Sequence, residues 1–118
     1  MTLNHIHICS QNLGRSKEFY ESFFEFQLKQ EHGDGLFMED GRGFLLAIDP
    51  VQESFEMPSW FHIGYCLSNK DQVRSLYEKM RGSGIEFLKE YVEYGDDAAA
   101  FYVQDPDGIK IEVSWHRD

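Results

Sequence analysis

The sequence runs twice through the same order of elements. His5 and His62 are 57 residues apart, and so are Cys9 and Cys66, and Tyr20 and Tyr77. Further along, Asp40 and Asp105 are 65 apart, as are Gly43 and Gly108. A constant offset across strand-like and helix-like segments predicts an internal duplication. Its later growth by eight residues predicts a longer hairpin in the second copy, around 90–98. In the first copy, LNHIHIC over 3–9 alternates with period two and reads as a strand. Asn12 to Ser16 then lead into KEFYESFF, a helix with Phe19, Tyr20, Phe23 and Phe24 as its apolar residues. Strands follow over 26–31, 36–39 and 43–48, separated by HGDG and DGRG turns. In the second copy a strand over 60–67 leads to a helix that Ser68 caps, with Asp71 completing a capping box. Val73, Leu76, Tyr77 and Met80 form its stripe, and Gly82 and Gly84 end it. Strands over 85–91, 98–104 and 109–115 complete the repeat. The fold class is therefore α+β, as two βαβββ modules, 1–49 and 59–118, joined by a linker over 50–58. A length of 118 residues suits one domain made of both.

Charge narrows the partners. Asp and Glu number 21 against 11 Lys and Arg, a net charge of −10. Such an excess repels phosphate backbones and anionic membranes, so nucleic acid and membrane partners are not expected. No apolar run approaches the ~20 residues that span a bilayer, and no basic-then-apolar leader opens the chain. A cytoplasmic protein is expected, with Cys9 and Cys66 as reduced, small buried residues rather than ligands or nucleophiles.

Three residues offer a metal site. His5 and His62 hold equivalent places on the first strand of each module, and Glu112 lies among Ile111, Val113 and Trp115 in a strongly strand-forming run. If the modules form one curved sheet, these side chains share its concavity. Two imidazoles and a carboxylate suit one divalent ion, whether Fe, Mn, Ni, Co or Zn, and leave positions open for substrate. Strand parity puts His7, Cys9, Gly64 and Cys66 on the same faces as the two histidines. His7 is then either a catalytic base or orienting residue, or a hydrogen-bonded strand histidine. Phe37 and Trp60 either line a pocket or pack in the core. In Asp105-Pro106-Asp107-Gly108 the residue types are those of a tight turn, not of catalytic acids.

These same segments carry a resemblance. LNHIHICSQNLGRSKEFYESFFEF at 3–26 resembles the opening of the vicinal oxygen chelate superfamily of glyoxalases, bleomycin and fosfomycin resistance proteins, methylmalonyl-CoA epimerase and extradiol dioxygenases. FHIGYCL at 61–67 is similar to that superfamily's second histidine strand, and QDPDGIKIEVSW at 104–115 to its closing turn and glutamate strand. The resemblance spans nearly the whole chain. It implies paired βαβββ modules forming a curved mixed sheet around a concave metal-binding cavity, with His5, His62 and Glu112 as ligands. It also implies a small-molecule substrate with vicinal oxygens and a homodimer. The implied activity is that of a metal-dependent, glyoxalase-like enzyme of the lyase, isomerase or group-transfer kind. Phe37, Trp60, Lys89, Tyr102 and Lys110 are the candidate substrate-binding residues.

The match departs from four-ligand relatives at one position. The 65-residue offset maps Glu112 onto Ala47, which ligates nothing. Asp49, displaced ~7 Å along the strand, Glu39 and Glu56 are the possible substitutes. Ordinary lactoylglutathione lyase activity is thus not expected. A fosfomycin thiol transferase relative, an extradiol dioxygenase relative and a metal-free antibiotic-sequestering protein remain the alternatives.

Overall fold

Alternation sends His5, His7 and Cys9 to one face of the first strand and Ile6, Ile8 and Ser10 to the other. In the computed structural model, which describes residues 1–118, this strand is β1 (His5–Ser10). It is followed by α1 (Leu13–Phe23), β2 (Gln27–His32), β3 (Gly35–Glu39) and β4 (Leu45–Pro50). The order then repeats as β5 (Ile63–Cys66), α2 (Lys70–Arg81), β6 (Phe87–Tyr94), β7 (Ala98–Gln104) and β8 (Lys110–His116). The chain is α+β, two βαβββ modules. Each builds a mixed four-stranded sheet, ordered β1-β4-β3-β2 in the first and β5-β8-β7-β6 in the second. The first strand of each module runs parallel to the last, and the other neighbours are antiparallel. By compactness the chain divides into Met1–Phe55 and Glu56–Asp118. No helix is long and apolar enough to cross a membrane.

The strand pairing carries the duplication in detail. His7 stands opposite Ala47 on β1 and β4, and Gly64 opposite Glu112 on β5 and β8. These are the same pair moved by 57 and 65 residues. Phe37 opposite Ala47 and Tyr102 opposite Glu112 match in the same way. The eight-residue difference does not all fall in the hairpin, however. Leu28 pairs with Met38 and Phe87 with Val103, so β2 and β6 are related by 59. Two residues therefore enter ahead of β6 and six enter its hairpin with β7. The two strands also share a bulge, between Leu28 and Gln30 and between Phe87 and Lys89.

Each sheet buries one face. In the first unit Ile8, Met38, Leu46 and Ile48 are buried together with Phe19 and Tyr20 of α1, which packs on β2 and β4. In the second, Phe101, Val103, Ile111 and Val113 pack with Val73 and Met80 of α2, which lies across β7 and β8. Met38 and Val103, Leu46 and Ile111, and Ile48 and Val113 are offset equivalents, so the duplication is a duplication of cores. The Ser10 hydroxyl is buried with its polarity met by Ser16 Oγ at 2.7 Å. Glu93 on β6 ties that strand to α2, accepting from Lys70 Nζ (3.2 Å), Arg74 (2.6 Å) and Tyr91 OH (2.9 Å).

Three expectations need correction. Asn69, not Ser68, caps α2, its side chain accepting from the Gln72 N–H at 2.9 Å. The Ser68 N–H instead donates to Gln72 Oε1 at 3.0 Å. The cap of α1 is Asn12, 57 residues earlier, so the offset itself marked the right residue. Second, β5 begins at Ile63 rather than Trp60, because the chain turns at 58–61, where the Phe61 N–H donates to Pro58 O at 2.9 Å. Third, Cys66 is exposed and Cys9 half-buried, because both point to the sheet face away from the helix.

Candidate functional site

The second unit's open sheet face is set by one turn. Asp105 is buried and its side chain accepts from the Asp107 and Ile109 N–H groups, each at 2.9 Å. Gly108 completes the turn at φ +90°, a conformation that a β-carbon disfavours. This fixes Gln104 opposite Lys110, and two steps outward it fixes Tyr102 opposite Glu112. With Ile111 and Val113 in the core, Lys110, Glu112 and Ser114 face away from it. A transverse row then crosses four strands, with Lys89 beside Tyr102, Tyr102 beside Glu112, and Glu112 beside Gly64.

Glu112 is held from two sides. The Tyr102 hydroxyl donates to Glu112 Oε2 at 2.9 Å. His62 Nε2 stands 3.4 Å from Glu112 Oε1, and the His62 and Tyr102 rings meet edge to face with centroids 5.9 Å apart. Gly64 leaves this carboxylate uncrowded, since a β-carbon there would lie 4.0 Å from Oε1. Burial, and then the hydrogen bond to Glu112, push the Tyr102 phenol above its ordinary pKa, so at neutral pH it is a donor.

Beside this cluster lies an open depression of about 350 Å³, lined by His62, Tyr102, Lys89, Lys110, Trp60, Leu88 and Ser59. Lys110 Nζ donates to Ser59 O at 2.7 Å, anchoring the segment ahead of β5. Lys89 Nζ donates to Tyr94 OH at 2.6 Å and lies over that ring. Trp60 is 76% exposed, so it is no core residue. Four of the five expected substrate-binding residues, Trp60, Lys89, Tyr102 and Lys110, thus surround one depression with His62. Ser59 and Leu88 were not foreseen, because a backbone carbonyl and an ordinary leucine leave no chemical mark in a sequence.

The first unit's open face carries the other candidates. His5 Nδ1 lies 2.8 Å from Asn4 Oδ1. His7 Nε2 lies 2.7 Å from Asp49 Oδ2, both side chains half exposed. Gly35 is required here, because a β-carbon would collide with the Asp49 side chain and lie 2.8 Å from Ile48 O. Phe37 stacks on His32, with centroids 5.0 Å apart. Ala47 occupies the place of Glu112, and Lys29 holds Glu39 at 3.0 Å. Glu56, which opens the second unit, lies exposed outside the strands. Within either unit, no three His, Cys, Asp or Glu side chains gather into a ready metal cage.

Residues 2–113 match the family model described as the Glyoxalase/Bleomycin resistance protein/Dioxygenase superfamily. Among solved structures, a possible glyoxalase from Bacillus cereus is similar, with 24% identity, coverage of 96% of this chain and 97% of that one, and a TM-score of 0.82. The fosfomycin resistance protein FosX from Listeria monocytogenes shares 18% identity over 98% and 93%, with a TM-score of 0.85. A lactoylglutathione lyase from Agrobacterium tumefaciens shares 18% over 97% and 92%, with a TM-score of 0.72. At these identities the likeness is one of fold.

Proposed function

The chain belongs to the Glyoxalase/Bleomycin resistance protein/Dioxygenase superfamily, and from that we propose a small metal-dependent enzyme acting on a compound with two adjacent oxygens. Its chemistry would be of the lyase, isomerase or group-transfer kind. His5, His62 and Glu112 are the proposed ligands. The observation that carries the proposal is the pair His62 and Glu112, with donor atoms 3.4 Å apart on the open face. Two donors each ~2.1 Å from one ion at a tetrahedral angle lie ~3.4 Å apart, so this pair fits a divalent ion. A bound divalent ion would polarise the substrate oxygens and stabilise negative charge developing on them.

The remaining roles belong to side chains. Tyr102 fixes the orientation of Glu112, as partners behind ligating carboxylates do. His7 is the proposed base. Asp49 occupies His7 Nε2 at 2.7 Å and so orients the ring, which leaves Nδ1 as the nitrogen that would exchange a proton with substrate. Lactoylglutathione lyase activity with four protein ligands is not proposed. Ala47 cannot ligate, and Asp49 and Glu39 already have partners in His7 and Lys29.

Elemental analysis of purified protein beside His5→Ala, His62→Ala and Glu112→Ala tests this. About one first-row transition metal per chain, lost in each variant, supports it. A chain that stays metal-free after incubation with Fe(II), Mn, Ni, Co and Zn refutes it.

A further inference from the structure

We infer that the depression beside His62 and Tyr102 is a subsite for small organic anions with a flat apolar body, the acid held by Lys89 and Lys110 and the body lying on Trp60. The inference rests on the reading of this face as a substrate site and names the class of molecule it selects.

The cations of the chain differ in what they bind. In a chain of net charge −10, basic side chains find carboxylates easily. Lys17, Lys29, Lys70, Arg74, Arg81 and Arg117 each form an ion pair. Lys89 and Lys110 form none, and neither does Arg42, which lies outside the depression in the turn ahead of β4. Each lysine donates to a neutral oxygen, Tyr94 OH and Ser59 O respectively. An ammonium has three donors, so both retain donors for a ligand, and both line the same depression. The Glu112 charge on this face is already engaged by Tyr102 and His62.

The apolar half has its own observation. Trp60 is 76% exposed and Leu88 43% exposed, both in the lining. A flat ring laid on Trp60 removes apolar surface from water and gains ring-to-ring contact. A polyanion is not the ligand, because the two lysines of the depression do not offset a net charge of −10. What remains is a small molecule with one acid group and one apolar plane.

Calorimetric titration of the full chain with indole-3-acetate, indole-3-acetamide and tryptamine tests this, since the three share a ring and differ in charge. The acetate should bind about tenfold more tightly than the amide, the scale of one hydrogen bond to a charged group, and tryptamine should bind most weakly. Lys89→Met and Lys110→Met should each weaken the acetate about tenfold. Lys110→Arg, which keeps the charge and the bond to Ser59, should retain it. Equal affinity for acetate and amide, tighter binding of tryptamine, unchanged binding in both methionine variants, or no binding of any of the three at millimolar concentration overturns the inference. The metal reading fails separately. A chain that takes no metal yet prefers the acetate keeps this inference, and one that takes a metal without that preference loses it.

Discussion

Replacing Tyr102 by Phe isolates the one hydrogen bond that orients Glu112. The ring and its edge contact with His62 remain, and only the hydroxyl 2.9 Å from Glu112 Oε2 is lost. A hydrogen bond to a charged group contributes up to about 1.5–3 kcal/mol. Glu112 is only partly buried, its side chain 27% exposed, so water replaces much of that bond. The expected stability loss is about 1 kcal/mol or less, a fall in Tm of about 3–5 °C for a chain of this size. Metal affinity responds differently. A carboxylate freed from its orienting partner must be reordered on binding, and loss of such partners costs about 10–100-fold. The assay is competition for Zn(II) against a chromogenic chelator, run beside thermal unfolding of the metal-free protein. Tyr102→Phe should weaken Zn(II) at least about tenfold with a small change in Tm. Zn(II) affinity within twofold of the parent chain would refute the role assigned to Tyr102.

Other outcomes follow from the same structure. Tyr102 and Tyr91 both hold their protons more tightly when folded, first through burial and then through hydrogen bonds to Glu112 and Glu93. Their contribution to stability is therefore complete below the unfolded phenol pKa of ~10 and is lost as pH rises through the folded values. In ultraviolet titration, Tyr102→Phe should remove one late-ionising tyrosine from the profile of the parent chain. Phe101→Ala removes a fully buried ring that meets Tyr77 and Phe87 and should cost about 3–5 kcal/mol in denaturant melts. Asp105→Ala strands the Asp107 and Ile109 N–H groups and should cost about 1–3 kcal/mol. Asn69→Ala should cost about 1 kcal/mol as loss of a cap, whereas Ser68→Ala, whose side chain caps nothing, should cost clearly less.

Much of this fold is legible in the sequence. The offsets of 57 and 65 carried over into the strand registers, because a duplicated strand–turn pattern can only pair as its parent does. Parity turned Glu112 away from Ile111 and Val113, since strand side chains alternate sides whatever the fold, whereas His62 lies just ahead of β5. Even the Tyr102–Glu112 neighbourhood was implicit. Asp105-Pro106-Asp107-Gly108 fixes a hairpin, and counting outward from it pairs 102 with 112. The caps show the limit of a local rule: Ser68 satisfied the motif, but the backbone gave the position to Asn69.

Register and parity are properties of the backbone, and short-range residue chemistry sets them, so the sequence alone determined the two modules, their cores and the open faces. Which atoms meet on those faces is a different question. That His7 takes Asp49, that Gly35 makes room for it, and that Lys89 and Lys110 settle on neutral oxygens while six other cations find carboxylates were decided only by the tertiary structure. The physical reason is reach. A hydrogen bond or ion pair depends on rotamers and on ångström-scale distances between segments far apart in the chain, and sequence periodicity does not encode those.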